Sequence, residues 1–245
     1  MRIRLRFAKH GKVRFTSHRD VARIWERALR RVRLPVARSQ GFSPRPRLHF
    51  GLALPTGCES DAEYIDVDLV EGATVDLAVL PDALTRALPR GLTATAAGEV
   101  PVGTPSLQHA VTSSRWEIEV RGLDAPAVRR RVEALLAAPE LMTTRQRKGR
   151  DVLDDVRPHL LHLEVVDRDP HPVLVAELGI RDRGLRPSEL VALVGEGAVE
   201  GVVRRTHQFI DDDGVRAEPL ALSDESGAGP DPSAPSSAHA MERAS

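Results

Sequence analysis

The pattern of apolar and polar residues predicts a strand and then a helix at the start of the chain. Polar and apolar side chains alternate from Arg2 to Lys9, which is typical of a strand with one buried face. From His18 to about Val32 the apolar residues share one side of a helix and five arginines share the other. Ser17 precedes this segment and Asp20 follows three positions later, which predicts an N-cap with a capping box.

Similar patterns continue to about residue 210. In residues 1–104 they predict further strands at 48–54, 63–70 and 92–100 and a helix at 75–88. In residues 112–210 they predict strands at 115–121, 141–146, 159–166, 173–180 and 202–210 and helices at 125–138 and 187–194. The first segment has the order β-α-β-β-α-β of the ferredoxin-like arrangement, and the second follows a similar order.

The sequence therefore predicts an α+β fold of two ferredoxin-like halves, residues 1–104 and 112–210, which could share one sheet. Residues 221–245 are rich in Ser, Ala, Pro, Gly and Asp. Such a segment has too little apolar surface to offset the entropy lost on ordering. We predict that it is a disordered tail.

Charge is divided unevenly along the chain although the formal net charge is zero. Residues 1–50 hold fifteen Lys or Arg and two acids, a local net charge of +13, and the remaining residues carry −13. The first half is thus basic and the second acidic. The basic surface either binds an external polyanion or docks on the protein's own acidic half.

Composition excludes several functional classes. No segment approaches the roughly 20 apolar residues that cross a bilayer, so we expect a cytoplasmic protein without membrane contact. Cys58 is the only cysteine, which rules out an internal disulfide and favours a buried apolar filler. His159 and His162 lie three apart on a predicted strand and point to opposite faces. We therefore predict no metal site and no cofactor.

Candidate anion-binding residues gather on the first helix, the turn before it and the loop after it. Guanidinium groups match the geometry of phosphate oxygens, and acids are nearly absent from this helix. The loop at 38–47 combines restricted residues with arginines, and its alternative interpretation is a structural connection. The candidates here are Lys9, Lys12, Arg14, Arg19, Arg23, Arg27, Arg30, Ser39, Gly41, Phe42, Arg45 and Arg47.

Two further features are weaker candidates. A second basic segment at 145–150 adds the anion-binding candidate Lys148, and Arg157 follows it as another. The segment either faces the basic surface of residues 1–50 or forms a plain basic hairpin. His18 and Asp20 are weak catalytic candidates, because capping already explains Asp20. No nucleophile elbow or phosphate-binding loop is present in the sequence.

Several motifs resemble one bacterial family. They are FAKHGKVRFTSHRD at 7–20, LPVARSQGFSPRP at 34–46 and FGLALP at 50–55, with shorter matches at 63–64, 148–149, 155–158 and 185–187. Over residues 1–210 the chain is similar to the radical SAM-linked protein family, a bacterial domain of unknown function (DUF2344). The resemblance implies a radical SAM enzyme as a partner. The chain lacks that enzyme's three-cysteine motif, so it is expected to be a standalone form.

Three functional hypotheses follow. The leading one is an accessory protein that binds RNA or another polyanion through the basic N-terminal surface. The second is a docking partner of a radical SAM enzyme, with the arginine face used for protein contact. The third is an RNA-processing or RNA-modifying enzyme in which His18 acts as an acid or base.

Overall fold

One nine-stranded sheet forms the centre of the protein, in a mixed α+β fold. The computed structural model describes residues 1–147, 149–212 and 214–220. The strands in chain order are β1 (Arg2–Lys9), β2 (Leu48–Phe50), β3 (Glu59–Asp68), β4 (Leu92–Val100), β5 (Val111–Arg121), β6 (Met142–Arg147), β7 (Arg150–Asp155), β8 (Leu160–Val166), β9 (Val173–Gly179), β10 (Val199–Asp212) and β11 (Val215–Ala217). Strands β6 and β7 form a separate hairpin. The tail predicted at 221–245 lies outside the described residues, as does Lys148.

The strand order is β4-β1-β3-β10-β5-β9-β8, with β2 on β3 and β11 on β10. Every one of these pairs is antiparallel except β3 with β10, which run parallel over Glu59–Ser60 and Arg204–Arg205. Strands from residues 1–104 therefore stand in the order β4-β1-β3-β2, and strands from the second segment in the order β10-β5-β9-β8. The β3–β10 pair joins them, so one sheet is shared.

Five helices complete the described structure: α1 (His18–Arg31), α2 (Leu80–Ala87), α3 (Leu107–Ala110), α4 (Ala125–Ala137) and α5 (Pro187–Val194). Short 3₁₀ turns lie at Gly11–Phe15 and Arg157–His159. None of the helices within the described ranges is long and apolar enough to cross a membrane.

Helix α1 packs as its sequence pattern predicts. The Ser17 side chain accepts a hydrogen bond from the backbone N–H of Asp20, which fixes the start of the helix. The apolar side of the helix is buried against β1, where the rings of Trp25 and Phe7 lie 4.9 Å apart. Burial of this side turns the arginines of α1 toward solvent, and all five are exposed.

A second core lies between β5, β8 and β9 and the helices α4 and α5. Arg205 of β10 lies where the two parts of the sheet meet. Its guanidinium bonds Glu63 of β3 and stands 5.3 Å from the centre of the Trp116 ring of β5. The side chains of Arg205 and Glu63 are 2% and 9% exposed, so this ion pair is buried in the middle of the fold.

Three predicted elements differ from the structure. The strand predicted at 48–54 ends at Phe50, and the chain bends at Leu52. The helix predicted at 75–88 begins only at Leu80, because Pro81 occupies its first turn. The strand predicted at 141–146 belongs to the β6–β7 hairpin and does not pair with the main sheet.

Candidate functional site

The arginines of β1 face carboxylates of β3 across the sheet. The Nε and Nη2 atoms of Arg4 donate hydrogen bonds to the two carboxylate oxygens of Asp66, at 2.7 and 2.9 Å, and both side chains are buried. Arg2 bonds Asp68 at 2.7 Å, and Arg47 lies 3.0 Å from the other oxygen of that carboxylate. Burial alone would raise the pKa of the Asp68 carboxyl, but the Arg2 hydrogen bond lowers it overall. Asp66 and Asp68 thus neutralise three arginines, of which Arg4 is buried and Arg47 remains more than half exposed.

Other cations near the N-terminus also have internal partners. Arg6 is 3% exposed and lies 3.1 Å from the Glu218 carboxylate. Lys9, a predicted anion-binding residue, is 3% exposed and donates hydrogen bonds to the carbonyls of Arg14 and Thr16. Burial lowers the pKa of the Lys9 ammonium. The local charge of +13 therefore overstates the charge that reaches solvent.

The turn before α1 carries the next two candidates. Arg14 lies 3.5 Å from the Glu59 carboxylate, and its guanidinium stands 4.8 Å from the centre of the Phe15 ring. Lys12 is exposed in the same turn. Glu59 also accepts a hydrogen bond from the backbone of Gly11 at 2.8 Å. The turn is thus tied to β3, and it presents Lys12 and Phe15 to solvent.

Four arginines form a stripe along the solvent side of α1, at Arg19, Arg23, Arg27 and Arg30. We call these four residues the arginine stripe. At 1.5 Å per residue it extends about 16 Å. Arg23 lies 3.3 Å from Asp20, and both side chains are more than half exposed. Within the described residues, the other three have no carboxylate within 4.0 Å.

The loop after α1 is held at its base by backbone hydrogen bonds. The N–H of Ala37 donates to Asp68, and the N–H of Arg47 donates to Ala37. Nearer the tip, the N–H of Ser39 donates to the Arg45 carbonyl, and the N–H of Arg45 donates to the Ser39 hydroxyl. The predicted candidate Ser39 therefore has a structural role within this loop.

The loop tip exposes an aromatic ring. Gly41 has a φ of 125°, which L residues rarely adopt, so glycine permits the turn. Phe42 follows it and is fully exposed, with a relative exposure of 111%. The Arg38 guanidinium donates to the Pro44 carbonyl at 3.2 Å, which braces the tip. The ring is therefore presented by a braced loop.

An open groove of about 440 Å³ separates the end of α1 from this loop. Arg30 lines it from the helix and Arg45 from the loop, so the structure brings these two predicted candidates to one site. Arg33 and Arg38 line the same groove, and Glu26 is its acidic residue. Four cations against one acid make the groove attractive to anions.

Residues 2–187 match the model of a family described as uncharacterised proteins conserved in bacteria, DUF2344. The chain belongs to this family. No curated protein matches it. Among solved structures it is similar to a chain in a crystal structure of a Cbf5-Nop10-Gar1 complex, with 12% sequence identity and a TM-score of 0.47. The match covers 86% of this chain and 50% of that one, so the DUF2344 protein spans about half the length of this structural relative.

The second basic segment of the DUF2344 protein forms the β6–β7 hairpin. Arg145 bonds Asp154 at 2.6 Å, and Arg183 lies 3.2 Å from the same carboxylate. Arg157 donates to the carbonyls of Leu136 and Ala138 at the end of α4. In the part of the chain that the structure describes, no hydrogen bond or ion pair joins the hairpin to residues 1–50. No such contact therefore links the β6–β7 hairpin to the arginine stripe.

The weak catalytic candidates lie at the start of α1. His18 contacts the Phe50 ring edge to face, at 5.1 Å between ring centres. The Ser17 hydroxyl donates to the Asp20 carboxylate at 2.7 Å and lowers its pKa, so Asp20 remains charged as part of the cap. Catalysis by His18 stays a prediction.

Sequence reasoning missed Arg33 and Arg38 as lining residues of the groove. They lie outside the helical repeat that identified the stripe, and only the path of the loop brings them to Arg30. It also missed the neutralisation of Arg2 and Arg4. The signal was present, because arginines alternate along β1 while Asp66 and Asp68 alternate along β3, as cross-strand charge pairs do.

Proposed function

We propose that this DUF2344 protein binds RNA along the arginine stripe and in the groove between α1 and the loop. The observation that carries the proposal is the exposure of Arg19, Arg27 and Arg30, none of which has a carboxylate within 4.0 Å among the described residues. Like charges at this spacing repel one another unless an anion lies over them. A phosphate backbone supplies repeated anions, and guanidinium groups bind its oxygens in pairs.

The dimensions of the surface favour a polymer over a small anion. The stripe is about 16 Å long, and the groove continues it at the end of α1. A single phosphate would contact one or two of these arginines and leave the rest unpaired. A chain of phosphates can neutralise several at once and release their counterions, which is the main source of backbone affinity.

Docking of the stripe on the protein's own acidic half is less well supported. Several acids of the second half already have arginine partners there. Glu117 pairs with Arg168 at 3.0 Å, and Glu177 has both Arg115 and Arg216 beside it. These carboxylates are neutralised locally, and among the described residues no arginine of the stripe forms an ion pair with an acid of residues 112–210.

The salt dependence of RNA binding tests the proposal. Affinity for a labelled RNA oligomer is expected to fall by orders of magnitude between about 50 and 200 mM salt if six or more phosphates are contacted. Fluorescence anisotropy titrations at several salt concentrations would measure this slope. A neutral peptide nucleic acid of the same base sequence is the control and should bind far more weakly. Affinity that does not change with salt, or no binding at low salt, would contradict the proposal.

The proposal includes two further predictions, one on the fold of the two halves and one on a protein partner. The strand orders β4-β1-β3-β2 and β10-β5-β9-β8 support the inference that residues 1–104 and 112–210 are each ferredoxin-like units. Contact with a radical SAM enzyme rests on the family resemblance alone, and no described contact bears on it.

A further inference from the structure

We infer that the RNA is bound as a single strand whose bases stack on Phe42 and Phe15, one beyond each end of the arginine stripe. The inference rests on the proposed function and adds a substrate class to it. Both rings are exposed, and each belongs to a segment whose backbone is fixed by hydrogen bonds. Together they flank a surface that carries positive charge.

Phe42 gives the stronger observation. Covering a phenyl ring is worth about 1.5–3 kcal/mol, yet this ring is fully exposed. The loop does not fold the ring inward, because Ser39 and Arg45 hold the two sides of the loop together and Arg38 braces the tip. The ring therefore stands at the tip of the loop whose base lines the groove, with both faces accessible to a planar partner.

Phe15 occupies a similar position at the other end of α1. Its ring is 62% exposed, and it follows Arg14, whose guanidinium lies over the ring at 4.8 Å. The hydrogen bonds of Gly11 to Glu59 and of Gly57 to the Arg14 carbonyl hold the turn in place. Arg14 covers one face of the ring, and the exposed remainder of the ring is available to a base.

Stacking of this kind selects for single strands. In a duplex the bases are already stacked and paired, and their flat faces are not available to a side chain. A single strand can turn its bases onto aromatic rings while its phosphates follow a basic surface. Exposed rings beyond the stripe therefore favour single-stranded RNA over duplex RNA of equal charge.

The test compares Phe42→Ala with wild type on a single-stranded RNA and on a hairpin duplex RNA with the same number of phosphates. We expect wild type to prefer the single strand by about tenfold or more. The Phe42→Ala variant should lose about 5- to 150-fold in single-strand affinity, the equivalent of 1–3 kcal/mol of stacking, and little in duplex affinity. Phe42→Trp should retain the preference. Leu153→Ala, which removes a side chain 62% exposed on the β6–β7 hairpin, is the matched control and should bind as wild type does.

The salt slope separates the two possible failures. Phe42→Ala should keep the slope of wild type, because no phosphate contact is removed. This inference is overturned if wild type binds single strand and duplex equally, or if Phe42→Ala binds the single strand as tightly as wild type. In either case, salt-dependent binding would still uphold the proposed function. No binding to either RNA would overturn both.

Discussion

Replacing Arg27, Arg30 and Arg45 together with alanine is expected to abolish RNA binding at physiological salt. Each of these side chains is exposed, and Arg30 and Arg45 face each other across the groove. Loss of three phosphate contacts should reduce the slope of log K against log salt by about 2 to 3. The fold should persist, because an exposed side chain away from packing rarely contributes more than about 0.5 kcal/mol. Anisotropy titrations and thermal melting would measure the two effects.

A charge-matched control separates the stripe from general basicity. Arg130, Arg150 and Arg181 are also exposed, and within the described residues none has a carboxylate within 4.0 Å. Their triple alanine variant removes the same charge from the second half and should bind RNA nearly as wild type does. If the variant without Arg27, Arg30 and Arg45 bound RNA normally but melted at a clearly lower temperature, these arginines would serve the fold and not RNA.

The Arg205→Met variant is expected to lose about 3–5 kcal/mol of stability. It leaves the Glu63 carboxylate buried without its partner, and breaking a buried pair on one side has this effect. The variant also removes the hydrogen bond that Arg205 donates to the Leu52 carbonyl at 3.0 Å. At the size of this chain, Tm should fall by roughly 6–20 °C. Differential scanning calorimetry would measure the change.

Two further variants serve as controls for this test. The double variant Arg205→Met with Glu63→Met should recover much of the loss, since the Glu63 carboxylate is then not left buried without Arg205. Arg129→Met breaks an exposed pair with Asp167 and should change stability by less than about 1 kcal/mol. Equal effects of Arg205→Met and Arg129→Met would show that the central pair does not hold the two parts of the sheet together.

Much of the local structure could be predicted from periodicity. The helix at 18–31 was recognisable because its apolar residues recur every three or four positions and Ser17 caps it. The sheet order could not be read in this way, because the β3–β10 contact joins residues about 145 positions apart. The strand at 141–146 was recognisable, but alternation does not identify a strand's neighbours, so its pairing with β7 outside the main sheet was left open.

The candidate site shows the same limit. Periodicity along α1 identified the stripe, since exposure follows from which side of a helix is apolar. Lys9 was predicted as a surface cation because strand alternation does not show that a neighbouring turn covers it. The groove forms because the loop returns toward the end of α1. Two backbone hydrogen bonds fix this path, from the N–H of Ala37 to the distant Asp68 and from the N–H of Arg47 to Ala37. No sequence spacing encodes that return.

Photo-crosslinking of RNA to the protein, followed by mass spectrometry of the attached peptides, tests the central claim most directly. A single-stranded RNA that carries 4-thiouridine should crosslink to peptides within residues 12–47, above all at Phe42 and the turn around Phe15. Excess unlabelled RNA should compete the crosslinks away, and high salt should remove them. Crosslinks that map mainly to residues 112–210, or that persist unchanged at high salt, would contradict RNA binding by the arginine stripe and its groove.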